Sequence, residues 1–148
     1  MNATQKTYRI LVLANETADA PELLEVIERS APGEAEVLAV APALDSRLRH
    51  WLSDEDAARE AAKERLQRCI HALHRSGVEA TGMLGDPDPV QALRDALTFF
   101  QPDVLIVATH PRGRSNWLAT NLVERASEHF AGPILHVTVS APTRPSAP

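Results

Sequence analysis

Cysteine is nearly missing from this chain: Cys69 is the one thiol in 148 residues. A single cysteine excludes an intramolecular disulfide and fits a reducing compartment. The fold must therefore rest on a packed core, and a chain of this length buries roughly 68–70% of its unfolded surface without cross-links or metal. Long apolar runs are missing too. The first, residues 10–14, is far too short for a signal-peptide core or a membrane span, and residues 1–7 are polar. A cytoplasmic protein with no membrane partner is expected. Basic residues are in deficit, with 15 Lys plus Arg against 20 Asp plus Glu and a formal net charge of -5. Duplex nucleic acid needs a basic face to neutralise its phosphates, so no nucleic-acid partner is expected. Internal repeats and low-complexity stretches are also lacking, which leaves one domain over 8–139, a flexible N-terminus over 1–7 and a disordered, proline-bearing tail over 140–148.

What is present alternates between strand and helix signals, the pattern of an α/β domain with a parallel sheet covered on both faces. Residues 10–14, 37–41 and 104–108 are apolar at consecutive positions, as in strands buried on both sides. Residues 78–84 interleave Glu79 and Thr81, and 134–139 put His136 and Thr138 on one face; such mixed runs suit sheet edges. Five parallel strands in the order 3-2-1-4-5 satisfy this pattern with right-handed crossovers only.

Three helix starts are readable. Ser53 precedes Asp54, Glu55 and Asp56, a cap followed by acids at the positive helix end. Ala58, Ala62, Leu66, Cys69 and Leu73 then form one apolar stripe, so Cys69 is expected to be a buried structural thiol. Asp88-Pro89-Val90-Gln91 joins a cap, a proline at the first helical position and a reciprocal partner at the third, with Val90, Leu93, Leu97 and Phe100 facing the sheet. Asn121-Leu122-Val123-Glu124 reads as another capping box, followed by apolar Ala126 and Phe130.

In an open parallel sheet ligands bind beyond the strand C-termini, where the strand order reverses. Here that point lies between strands one and four, and the facing segments are Asn15-Glu16-Thr17 and Thr109-His110-Pro111-Arg112. The sequence around these points resembles the universal stress protein (UspA-like) family over about residues 8–139. Gly85-Asp86-Pro87 is similar to its Gly-x-Pro element, and Asp103-Val104-Leu105-Ile106-Val107 with Thr109-His110 to its fourth strand and loop. Val123-Glu124-Arg125 and Gly132-Pro133-Ile134-Leu135-His136-Val137 resemble its last helix and last strand. The resemblance implies a Rossmann-like, adenine nucleotide alpha hydrolase-like three-layer sandwich, a stress-response role, and a homodimer through the strand at 134–139.

Nucleotide-binding members of that family carry Gly-x-x-Gly, nine residues, then Gly-Ser or Gly-Thr. This chain has Ala108 and Pro111 where the two glycines stand, Thr120-Asn121 in place of Gly-Ser if one loop residue is deleted, and Asn15 in place of the aspartate after strand one. Pro111 has no N–H to offer a phosphate, and one lost charge-assisted hydrogen bond costs about 1.5–3 kcal/mol. The same rim is nevertheless rich in side-chain donors. Arg112 and Arg114 follow strand four, and Arg47 and Arg49 follow strand two, so arginine forks stand ready to hold an anion in place of backbone N–H groups. The candidate ligand-binding residues are Asn15, Val40, Arg47, Arg49, Thr109 and His110, with Arg112, Arg114, Ser115, Asn116 and Asn121. The ligand expected is ATP, AMP or another phosphate-bearing molecule. The alternative is a dimeric interaction module that binds no nucleotide, its rim arginines paired with Asp54, Glu55 or Asp56. No catalytic residue is assigned: Ser115 lacks a Gly-x-Ser-x-Gly elbow and no triad is discernible. His71 and His74 are three apart on a helix, yet nothing nearby completes a metal site, so no metal is expected.

Overall fold

The computed structural model describes residues 7–14, 20–30, 34–42, 52–86, 88–109 and 114–139, without side-chain description for 52–58 and 114–120. The chain runs β1 (Tyr8–Leu13), α1 (Pro21–Ser30), β2 (Ala35–Pro42), α2 (Leu52–Arg75), β3 (Glu79–Gly85), α3 (Pro89–Leu97), β4 (Val104–Thr109), α4 (Arg114–Ser127) and β5 (Ile134–Thr138). All pairs are parallel, and the sheet order is β3-β2-β1-β4-β5, as the apolar patterning requires.

The central strands are apolar throughout because both faces are covered. Ile10, Val12, Val37, Ala39, Val104 and Ile106 pack with Leu23 and Ile27 of α1 and Leu66, Cys69 and Leu73 of α2. The alternate positions, Leu11, Leu13, Leu38, Val40, Leu105 and Val107, pack with Val90, Leu93 and Ala96 of α3 and with Leu122 and Ala126 of α4. This is the three-layer sandwich, and the period of two divides each strand between the layers. Burying one Leu or Ile side chain stabilises by about 1.5–3 kcal/mol, so these clusters dominate the folding free energy. Cys69 is wholly buried, a small core hydrophobe as its stripe implies. No described helix is long and apolar enough to cross a membrane.

The helix starts depart from expectation in three places. The first helix, α1, has a start that the three capping signals did not include; Pro21 opens it, and the N–H groups of Leu23 and Leu24 both donate to Ala20 O at 3.1 Å. Helix α2 begins at Leu52, so Ser53 lies in its first turn and is not its cap. Helix α4 begins at Arg114, seven residues before Asn121, which puts the supposed third capping box in mid-helix. Residues 114–120 contain neither Pro nor Gly. Adding a residue to an existing helix costs far less than nucleating one, so nothing stops α4 from extending back toward Gly113. Asp88 does cap α3, accepting from Val90 N at 3.1 Å. The reciprocal half is supplied differently: Gln91 bonds forward to Asp95 Oδ1 at 2.8 Å, and Asp86 Oδ1 accepts the Asp88 N–H at 2.9 Å.

Helix α2 ends where Gly77, at φ 84°, takes the left-handed conformation. Val78 N donates to Leu73 O and Gly77 N to His74 O, both at 2.9 Å, the paired bonds of a Schellman motif that turns the chain into β3. At the same, amino, end of the sheet Asp103 N donates to Arg9 O at 2.8 Å while Arg9 N donates to Asp103 Oδ2 at 2.9 Å, which fixes the register of β4 on β1.

Candidate ligand site at the carboxyl rim

Strands β1 and β4 pair only as far as Leu13 and Val107. Beyond that point they part. Ala14 N turns to Val40 O at 3.1 Å, continuing the ladder toward β2, while Thr109 O accepts Val139 N at 2.8 Å on the β5 side. The ladder therefore opens between Ala14 and Ala108, at the C-terminal end of the sheet, and this is the topological switch point. The floor of the opening is apolar, since Ala14 and Ala108 are both buried in the α1–α2 cluster.

The described candidates stand around this opening in different ways. Thr109 is 8% exposed and ends β4 on the α3–α4 side; its Oγ1 lies 2.8 Å from His136 Nε2 on β5. Val40 is buried, its side chain in the α3–α4 cluster and its carbonyl taken by Ala14, so its contribution to the rim is backbone and shape. Arg114, Ser115 and Asn116 form the opening turn of α4. Asn121 is exposed and seven residues further on, which at 1.5 Å per residue is about 10 Å along the axis from Arg114. The structure thus brings Thr109 and the start of α4 to the rim, and sets Asn121 apart from them. Asn15, Arg47, Arg49, His110 and Arg112 lie outside the described residues.

Sequence reasoning missed two features. One is the Thr109–His136 bond, which spans 27 residues. No local spacing signals it, because it depends on the β4–β5 register, Val107 opposite His136 and Thr109 opposite Thr138. The other is the acidic character of the rim beside β3. Asp86 and Asp88, both exposed, use their own carboxylates on the backbone entering α3. An anion approaching that helix end meets two like charges. Gly85, just before them, is held by packing: a Cβ there would stand 2.7 Å from Ala92 Cβ and 3.2 Å from Val40 Cγ1. Among the described residues no group of three His, Cys, Asp or Glu side chains is placed to hold a metal ion.

Solved structures with the same course of strands and helices exist. A universal stress protein family member from Burkholderia pseudomallei is 18% identical, with 91% of this chain and 98% of that one covered at a TM-score of 0.60. A hypothetical protein whose biochemical function was assigned from its structure is 15% identical, with 96% and 100% covered at 0.67. This chain has the universal stress protein fold. A third structure, a universal stress protein family protein from Arabidopsis thaliana with AMP bound, is 15% identical, with 94% and 96% covered at 0.60. No protein-family model and no curated protein matches the sequence. At these identities the shared property is the universal stress protein fold itself, five parallel strands in the order 3-2-1-4-5 within one α/β domain.

Proposed function

We propose that the protein is a cytosolic stress-response regulator that binds a nucleotide or another phosphate-bearing ligand at the carboxyl rim, without turnover. The observation that carries this reading is the opening of the ladder between Ala14 and Ala108, in a fold whose Arabidopsis thaliana neighbour holds AMP. The donors proposed for the phosphate are Arg47, Arg49, Arg112 and Arg114, with Thr109, His110, Ser115 and Asn116 beside them and Asn15 toward the nucleoside. Arginine forks hold phosphate bidentately, which offsets the backbone N–H that Pro111 lacks. A thermal-shift screen against AMP, ATP, cyclic nucleotides and inorganic phosphate tests the reading. A ligand at a hundredfold excess over its Kd adds about 2.7 kcal/mol to the native state. A raised midpoint that disappears in the Arg49→Ala plus Arg112→Ala variant is expected. No rise with any of the four sinks the proposal.

A second reading is a dimeric interaction module without nucleotide. It is favoured by Ala108 and Pro111, and by Leu135, which is 40% exposed on the edge strand β5. On this reading the homodimer forms through residues 134–139. Sedimentation at twice the monomer mass, reduced to the monomer by Leu135→Glu, would support it.

A further inference from the structure

The outer edge of β3 is one of the two free edges of the described five-stranded sheet. No described strand pairs with its far side, and it carries no Pro or Lys over its seven residues. Natural edges are ordinarily blunted by such residues, by bulges or by cover. One group is covered here: His74 Nε2, from the last turn of α2, bonds Ala80 O at 3.1 Å. Backbone groups alternate sides along a parallel strand, so Gly82 and Leu84 share the outward direction of Ala80.

Beside these residues runs an open groove of about 470 Å³ between α2 and β3. Leu66, Ile70 and Leu84, all on the α2 side of the sheet, supply its apolar lining. Gly82 keeps it open, since a Cβ there would stand 3.1 Å from Ile70 Cδ1. Among the described residues that line it Lys63 is the one with a formal charge, with His71 and His74 beside it, in a protein whose formal net charge is -5. Lys63 Nζ lies 3.6 Å from Glu60 Oε2, but both side chains are more than half exposed, and such pairs hold a lysine weakly.

We propose that this edge and groove take an extended acidic and apolar segment of a partner protein as a sixth strand. Main-chain bonds to Gly82 and Leu84 supply the pairing, alternate apolar side chains enter the groove, and carboxylates meet Lys63 and His71. The charge pattern selects this occupant over a second copy. Antiparallel two-fold pairing of two β3 strands would set two Lys63-bearing grooves, with no carboxylate among their described lining residues, along one face of the joined sheet. The proposal stands apart from the nucleotide reading, because the groove and the carboxyl rim share no candidate residue.

The test is fluorescence anisotropy of the full chain with three labelled eight-residue peptides: alternating valine and glutamate, alternating valine and lysine, and the first sequence N-methylated at alternate positions. The valine–glutamate peptide is expected to bind at micromolar Kd, and the other two at least tenfold more weakly. Lys63→Glu with His71→Glu, both on exposed positions, should weaken the first peptide at least tenfold, and Gly82→Val should do so without added charge. Saturating AMP should leave all three affinities unchanged. Equal binding of the glutamate and lysine peptides, indifference to the variants, or no binding of any peptide would overturn the proposal. Rapid oxidation of a Thr81→Cys variant to a covalent dimer would overturn it too, by placing a second copy on β3.

Discussion

The two edges of the sheet differ in how they are held. Strand β3 is anchored at close quarters: Gly85 packs under Ala92 and Val40, Gly82 under Ile70, His74 bonds Ala80, and the Schellman turn at Gly77 fixes its entry. Strand β5 is shallow. None of its five residues is fully buried, and Leu135 is 40% exposed. One edge lies beside an open groove, and the other presents an exposed apolar side chain. The central strands carry the stability of the fold, and it is at the edges that chains of this fold can acquire separate partners.

That contrast can be broken by substitution at each edge, and urea midpoints provide the common scale. Gly85→Ala forces a methyl into a contact of 2.7 Å with Ala92, and overpacking of this kind should cost about 1–3 kcal/mol. Gly77→Ala, at φ 84°, places a Cβ in the left-handed region and should cost about 1–2 kcal/mol although no atom lies within 4 Å of it. On the β5 side, His136→Ala removes the bond to Thr109 and should cost about 0.5–1.5 kcal/mol. Leu135→Glu should leave monomer stability within about 0.5 kcal/mol while abolishing any dimer through β5. If Leu135→Glu unfolds the monomer as readily as Gly85→Ala, the two edges are not held differently and the contrast fails.

The sheet order was legible because burial imposes a pattern on residue type. Residues 10–14, 37–41 and 104–108 had to be central, since only a strand covered on both faces tolerates apolar side chains at consecutive positions. The interior stripe of α2 was equally legible, down to the burial of Cys69. Helix starts were less so. Asn121 with Glu124 has the spacing of a capping box, but that spacing also occurs on the solvent face of a continuing helix, and it is Gly113 that precedes α4. The candidate rim was legible in outline from topology, because the switch point follows from strand order alone. The Thr109–His136 bond and the groove under α2 were not, as both depend on register and packing between segments distant in sequence.

The central claim is that ligand enters where β1 and β4 part. Amide chemical-shift mapping of labelled protein during titration with AMP addresses it most directly. The expected shifts cluster at Ala14, Ala41 and Thr109, at the carboxyl ends of β1, β2 and β4, and leave Arg9 and Asp103 at the opposite end unmoved. Shifts centred on Arg9 and Asp103, or no shift at saturating AMP and phosphate, would contradict the account.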